Sequence, residues 1–297
     1  MSGRPVHRFT RRDFLKASAV AAGGAALAGA VPAVGQETRP VAFRFSTSTI
    51  MYADSPLEVA LEEIAKTGCQ AVDIWEAPGN PQNHMEWVEL RRPPYLRTLV
   101  ESFGLKLFSF SIYWSPGNKL GQRLEWLKEA GGEVAVLGGG AGVGQPVKAG
   151  VDALLPLVEK AEQLGIKIAG ENHGGTSLNS VASLKEFASL AQSPALGIAL
   201  APYHVMAGGE PVPDAIAACG PKLLFFYAWQ CAPGMRELPG DGTLDFTPVL
   251  RALRAVSYPG YLDIFTHTHV PKEQMTPAII AAREYLERSA QQLEATP

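Results

Sequence analysis

Residues 166–174 read IKIAGENHG, an apolar run that ends in a carboxylate (Glu171), an amide (Asn172) and an imidazole (His173). A short run of this kind fits either a buried strand or part of a buried helix. The flanks favour the strand, because a helical pattern that ends in Gly165 precedes the run and another, over residues 180–191, follows it. We therefore predict a buried parallel strand that carries Glu171 and His173 to its carboxyl end.

The same strand–loop–helix pattern repeats along the chain. The predicted strands cover residues 41–49, 71–75, 105–113, 133–137, 166–170, 196–200, 222–229 and 261–266. The predicted helices cover residues 56–67, 95–103, 122–130, 151–164, 180–191, 213–218, 247–255 and 276–294. Eight such alternations are typical of an α/β fold of the (β/α)8 TIM-barrel type. The alternative, an open doubly wound sheet, lacks its glycine fingerprint in residues 138–144, which instead predict a tight turn over the barrel mouth.

Composition narrows the function. The chain has 297 residues, 46% of them hydrophobic, and a formal net charge of −3. This is ample for a large core and is balanced in charge, so it predicts neither nucleic acid nor a membrane as partner of the mature protein. It leaves the oligomeric state open.

The N-terminus has the pattern of an export signal. The string RRDFLK, residues 11–16, begins with two arginines and precedes a stretch rich in Ala, Gly, Leu and Val that ends near residue 34. This resembles a twin-arginine signal peptide, read by the export machinery. A short membrane anchor is the alternative, but the stretch is short and weakly apolar. We predict a signal over residues 1–35, one barrel domain over residues 36–297, and a periplasmic or secreted location.

Polar and aromatic side chains concentrate where the predicted strands end. In a TIM barrel these ends form the active site. Four of the six histidines lie there, and with a glutamate they offer the imidazole and carboxylate ligands that divalent metals prefer. The aromatic residues at the strand ends predict either a stacking surface for a sugar ring or packing under the loops. The residues singled out are Asp73, Trp114, Glu171, His173, His204, Tyr227, Trp229, Gln230, His267 and His269.

The last third of the chain resembles the xylose-isomerase-like barrel family, which includes sugar isomerases and epimerases, inosose dehydratases and endonuclease IV. The resemblance rests on residues 238–246 (LPGDGTLDF), 249–253 (VLRAL) and 258–262 (YPGYL). It implies a metal held by a Glu, an Asp, a His and a second Glu from strands five to eight, with the two glutamates exchanging a proton with the sugar carbon.

Carried over residue by residue, this pattern is largely lost. Glu171 matches the first ligand, and His204 matches the histidine of the strand-six motif. Ala201, Tyr227 and Phe265 stand where the family has Asp, His and the closing Glu. One carboxylate cannot hold a divalent metal by itself.

Two hypotheses follow. In the first, an exported enzyme isomerises, epimerises or eliminates on a carbohydrate or polyol, with Glu171, His204 and His267 as catalytic residues. Because residues two apart on a strand face the same way, Glu171, His173, His204 and His267 are then the ligands of a shifted Mn, Zn, Co or Mg ion, or act without metal. The substrate is then lined by Asp73, Trp114, His173, Tyr227, Trp229 and Gln230.

In the second hypothesis, the protein binds a sugar without converting it. Cleavage of damaged DNA is disfavoured by the few ligands and the negative charge.

Overall fold

The computed structural model describes residues 42–76, 83–113 and 117–295, which contain a closed barrel of eight parallel strands in chain order. The strands are β1 (Arg44–Ser48), β2 (Ala71–Glu76), β3 (Lys106–Ile112), β4 (Val134–Gly138), β5 (Lys167–Glu171), β6 (Leu196–Leu200), β7 (Leu223–Ala228) and β8 (Tyr261–Ile264). The pairing of β1 with both β2 and β8 closes the sheet. The predicted TIM barrel is confirmed, and the open sheet is excluded.

Ten helices surround the strands in the described part of the chain. They are α1 (Leu57–Lys66), α2 (His84–Arg91), α3 (Pro93–Ser102), α4 (Gly117–Ala130), α5 (Val147–Leu164), α6 (Val181–Leu190), α7 (Pro202–Ala207), α8 (Val212–Cys219), α9 (Phe246–Ala255) and α10 (Lys272–Ala295). Eight correspond to predicted helices, although α4 starts five residues early and α5 and α10 each start four residues early. The sequence patterns did not predict α2, whose apolar residues do not keep to one face, or α7, which has only six residues. No helix among these is long and apolar enough to cross a membrane.

Local signals around β5 explain how it reaches the barrel mouth. Gly165, in the left-handed conformation (φ 66°), ends α5 and turns the chain into β5. After the strand, the Ser180 side chain caps α6 by accepting a hydrogen bond from the Ser183 backbone. Gly170 and Gly139 are in close contact, since a Cβ added to Gly139 would lie 2.7 Å from the Gly170 carbonyl carbon. The glycine-rich segment after β4 thus packs directly against β5.

Polar side chains fill the middle of the barrel lumen. Asp73 accepts hydrogen bonds from Ser48 (2.8 Å) and Ser109 (2.7 Å), and Asp263 accepts one from Ser46 (2.7 Å). All of these residues are fully buried, and Asp263 Oδ2 has no hydrogen-bond partner among the described residues. Burial raises the pKa of both carboxyls. The serines lower the pKa of Asp73 in part, so Asp73 is the better placed of the two to carry a charge.

Candidate active site at the mouth of the barrel

The carboxyl ends of the strands enclose a cavity of about 300 Å³, which we call the mouth pocket. TIM-barrel enzymes place their active sites at this end. The lining residues are Trp75, Tyr113, Gly138, Glu171, His173, Thr176, His204 and His267. The structure therefore brings together four residues predicted from the sequence: Glu171, His173, His204 and His267. None of the described lining residues is a lysine or an arginine.

Glu171 is the carboxyl group of the mouth pocket. It is the last residue of β5 and is 8% exposed. Burial raises its pKa to about 7, a hydrogen bond with Tyr113 opposes this rise, and the nearby Asp73 charge adds to it. An acid–base catalyst is most effective when its pKa lies near the working pH. Glu171 is therefore suited to accept and release a proton at neutral pH.

Two tyrosines connect Glu171 to the lumen. The Tyr113 and Tyr227 hydroxyl oxygens lie 3.0 Å apart, and Tyr227 lies 3.3 Å from the Ser111 hydroxyl. Burial raises the pKa of both tyrosines well above 10, and the Glu171 charge contributes to this rise. Both hydroxyls thus stay protonated at neutral pH. Tyr113 is positioned to donate a hydrogen bond to Glu171 or to a ligand beside it.

Three histidines form one side of the rim. The His173 and His204 rings are 4.1 Å apart between centroids. Burial lowers the pKa of His204 to about 4, and the neighbouring His173 and His267 add to the effect. Burial also lowers the pKa of His267, whose ring packs edge-on against Trp229 and Phe265. His204 and His267 are consequently neutral at pH 7 and can exchange hydrogen bonds with sugar hydroxyls.

Aromatic rings form the opposite side and the base of the mouth pocket. Trp75 stacks on Phe265 with ring centroids 5.1 Å apart, and Tyr113 lies 4.9 Å from Trp75. Trp229 is buried behind His204 and His267 and stacks on Tyr203. Flat aromatic surfaces next to polar groups favour ligands that have both an apolar face and hydroxyl groups, as sugar rings do.

Glu237 organises the rim from behind, and the sequence patterns did not identify it. Its Oε2 atom accepts hydrogen bonds from Trp229 Nε1 (3.0 Å), Thr266 Oγ1 (2.6 Å) and the His267 backbone (2.7 Å). Glu237 ends a short 3₁₀ turn (Gly234–Glu237) after β7, directly before the LPG string that marked the family. The available signal was thus its place beside that string. Its role is to hold Trp229 and His267 in position.

The other predicted substrate residues lie outside the mouth pocket. Asp73 and Tyr227 are fully buried below it, and Trp229 is buried behind it. The Gln230 amide points away, donating to the Leu238 carbonyl (2.7 Å) and accepting from the Leu244 backbone (2.8 Å), so it holds the loop after β7. Trp114 lies outside the described residues, as does the predicted signal over residues 1–35. Gly138 lines the pocket as part of the turn predicted over the barrel mouth, whereas Trp75, Tyr113 and Thr176 line it without having been assigned to the site.

The positions of the lost family ligands are filled by packing. Ala201 is fully buried and exchanges backbone hydrogen bonds with the Asn172 amide (2.7 and 3.2 Å). Phe265 occupies the place of the closing carboxylate and contacts Trp75, Tyr227 and Trp229. Tyr227, which stands in place of the histidine, shares hydrogen bonds with the hydroxyl groups of Ser111 and Tyr113.

These substitutions bear on the predicted shifted metal site. Among the described residues, no three or more His, Cys, Asp or Glu side chains are grouped so that they could hold one metal ion. Glu171, His173, His204 and His267 share the pocket, but Glu171 pairs with Tyr113 while His267 packs against aromatic rings. A stable divalent site needs three or more protein ligands converging on one point. The residues present therefore do not fit the predicted metal.

Comparisons with known proteins agree with the fold. Residues 61–289 match the family described as xylose isomerase-like TIM barrel. No functionally curated protein matches the sequence significantly.

Several solved structures have the same architecture. The IOLI protein with a binding zinc atom is 17% identical, with a TM-score of 0.68 over 84% of this chain and 99% of that one. L-ribulose 3-epimerase is 17% identical, with a TM-score of 0.66 over 86% and 98%. The 3-keto-D-glucoside 4-epimerase of E. coli is 16% identical, with a TM-score of 0.62 over 82% and 100%. At these identities the likeness concerns the fold.

Proposed function

The chain belongs to the xylose isomerase-like TIM barrel family, and we propose that it is an enzyme that isomerises, epimerises or dehydrates a neutral carbohydrate. The observation that carries the proposal is Glu171, a buried carboxyl with a pKa of about 7 that opens into an aromatic-lined pocket. The names of the structural relatives, among them sugar epimerases, support a carbohydrate substrate.

The reaction begins with removal of a proton from the carbon next to a carbonyl group. Glu171, in its ionised form, takes this proton, and its burial leaves the carboxylate poorly solvated and correspondingly basic. Tyr113, which stays protonated, donates to the Glu171 carboxylate before the reaction. Once Glu171 has taken the proton, the Tyr113 hydroxyl turns to the enolate oxygen and donates to it instead. Isomerisation follows when Glu171 returns the proton to the neighbouring carbon while a proton moves between the two sugar oxygens. Dehydration follows when Glu171 gives the proton to a hydroxyl group, which leaves as water. Epimerisation needs a proton on the opposite face of the enolate, which a water molecule supplies, and the hydroxide so formed takes the proton from Glu171.

The lining of the mouth pocket selects an uncharged ligand. A phosphate group is normally held by Arg, Lys or a metal, and the described lining residues supply neither cation. Neutral His204 and His267 together with Tyr113 offer hydrogen bonds, while Trp75 offers a flat face. An unphosphorylated sugar fits this combination better than a sugar phosphate.

Proton exchange in heavy water tests the proposal. We expect that one member of a panel of neutral aldoses, ketoses and ketoglycosides incorporates deuterium next to its carbonyl, as measured by NMR. The rate should rise with pH and level off above about 7, as Glu171 loses its proton. Absence of exchange with any sugar that binds would contradict the proposal.

A second function is a sugar-binding protein without turnover. Phe265, which stands in place of the second proton-transferring carboxylate, favours it. Saturable binding of a sugar by the parent protein, together with no deuterium incorporation at any pH from 5 to 9, is the result expected in that case.

We also propose that residues 1–35 direct export of the folded barrel by the twin-arginine route. The support is the RRDFLK string at residues 11–16, followed by a weakly apolar stretch. Replacing Arg11 and Arg12 by lysine should retain the protein inside the cell. Cell fractionation measures this, and unchanged export of the double variant would contradict the signal.

A further inference from the structure

A second cavity lies at the opposite end of the barrel, where the strands begin. We call it the foot cavity. It measures about 450 Å³, against about 300 Å³ for the mouth pocket. The loops before β4, β5 and β8 surround it, and the apolar side chains of Phe108, Val134 and Leu224 line its inner part. A smaller cavity of about 110 Å³ adjoins it and shares Arg97, Gly131 and Glu133 with it.

Lysines that lack partners among the described residues collect at this end. Most described lysines have partners: Lys66, Lys119, Lys148, Lys160 and Lys272 pair with carboxylates, and Lys222 donates to backbone carbonyls. Lys106, Lys128, Lys167 and Lys185 have no ion pair or side-chain hydrogen bond within the described residues. Three of these four line the two foot cavities, Lys185 being the exception.

The charges around the foot cavities do not balance. Arg97, Lys106, Lys128 and Lys167 contribute four positive charges, and Glu101 and Glu133 contribute two negative ones. Arg97 keeps its guanidinium at the cavity wall by donating to the Glu129 carbonyl. A concave surface with one predominant sign of charge concentrates ligands of the opposite sign. The mouth pocket has no comparable cations among its described lining residues.

We propose that the foot cavity binds a small organic oxyanion, its carboxylate or phosphate group held by Lys128, Lys167 and Arg97 and its carbon skeleton resting on Phe108, Val134 and Leu224. The Lys128 ammonium nitrogen lies 3.7 Å from where a Cβ on Gly165 would be, so the absence of a side chain there keeps this ammonium accessible. The ligand differs in class from the neutral substrate proposed for the mouth pocket. The two sites lie at opposite ends of the lumen.

Titration calorimetry at low salt tests this site. The probes are glucuronate, for the carboxylate, and glucose 6-phosphate and inorganic phosphate, for the phosphate group. At least one of the two organic anions should bind with a stoichiometry near one. The double variant Lys128→Ala, Lys167→Ala should lose at least tenfold in affinity, because it removes two of the three cations around the anion.

Two control variants establish that the anion binds at the foot. Lys185→Ala removes an exposed lysine that lies away from both foot cavities and should leave the affinity unchanged, and so should Glu171→Gln, which alters the mouth pocket. Loss of binding in Glu171→Gln would assign the anion to the mouth and overturn the proposal. Failure of both organic anions to bind, or equal binding by the double variant, would overturn it as well. None of these results depends on turnover.

Discussion

The two ends of the barrel treat charge in opposite ways. At the mouth, Glu171 and His204 are removed from water. Burial raises the pKa of Glu171 and lowers the pKa of His204, so both shifts favour the uncharged form. At the foot, Arg97, Lys128 and Lys167 remain exposed. The difference shows that burial can make a group reactive, because a poorly solvated carboxylate is a stronger base. An exposed charge stays well solvated, so its main effect is to attract ions of the opposite sign. A substitution should therefore have its largest effect at the mouth.

The largest expected effect is that of Glu171→Gln on proton exchange. Removing a general base typically costs on the order of 10²–10⁴ in rate, and we expect a loss in that range with little change in fold. The matched control is Glu133→Gln, which removes an exposed carboxylate at the foot. NMR-detected deuterium incorporation measures both variants. Equal rates in Glu171→Gln and the parent would remove the base from the mechanism.

The second largest effect is the loss of stability expected when Glu237, which supports the rim of the mouth pocket from behind, is replaced. Glu237→Ala leaves the Trp229 indole, the Thr266 hydroxyl and the His267 backbone amide without their acceptor. Hydrogen bonds to a buried charge each contribute about 1.5–3 kcal/mol and are not additive, so we expect a loss of about 3 kcal/mol in the free energy of unfolding. Glu237→Gln keeps one acceptor and should lose less. Urea unfolding compares them, and equal losses would mean that the carboxylate charge contributes little.

The lumen between the two ends gives a pH-dependent effect. Burial raises the folded-state pKa of Asp263, so the native protein keeps a proton that the unfolded chain releases above about pH 4. The parent protein therefore loses stability as the pH rises from about 4 toward the folded-state pKa. Asp263→Asn has no such proton and still accepts from Ser46, so it should gain on the parent by about 1.4 kcal/mol per pH unit.

Urea unfolding at pH 5, 6 and 7 measures this slope. The control is Asp241→Asn, an exposed position whose difference from the parent should not vary over the same range. Taking the difference between parent and variant also cancels the opposite contribution of the buried histidines, whose pKa values are lowered. A flat difference for Asp263→Asn would show that its pKa is not raised in the folded state.

The fold could be predicted from the sequence because each strand is a short apolar run bounded by helix signals. The IKIAGENHG stretch became β5, and Glu171 at its end lines the mouth as the rule for parallel barrels requires. Such patterns can be recognised within a short stretch of sequence. Once the eight strands are recognised, only their order in the sheet remains to be predicted, and in a closed barrel it follows the chain. Helix α2 was missed because its apolar residues do not keep to one face, and α7 was missed because it has only six residues.

The site was harder to predict because its geometry depends on which strand ends meet. Gln230 was expected in the pocket from its position after β7, but the chain turns there and its amide holds the following loop. Tyr113, which follows β3, is hydrogen-bonded to Glu171 at the end of β5, a contact that no sequence spacing encodes. Glu237 lies on a loop and acts through three other residues. A shifted metal site needs three or more side chains to converge on one point, and no such group of His, Cys, Asp or Glu occurs among the described residues.

The smallest expected effect is that of salt, and it separates the two ends without any mutation. Exposed charges are screened within about 10 Å at 0.1 M salt and within about 3 Å at 1 M. The affinity of the foot cavity for an organic anion should therefore fall several-fold when NaCl is raised across that range. A neutral sugar in the mouth pocket, held by hydrogen bonds and aromatic contacts, should change its affinity by less than about twofold. Calorimetric titrations at both salt concentrations measure these two affinities.

If the affinity of the mouth ligand fell as much as that of the foot ligand, its binding would depend on charge, and a neutral substrate would no longer be tenable. If the foot ligand were insensitive to salt, its affinity would rest on the apolar wall of Phe108, Val134 and Leu224 rather than on Lys128 and Lys167.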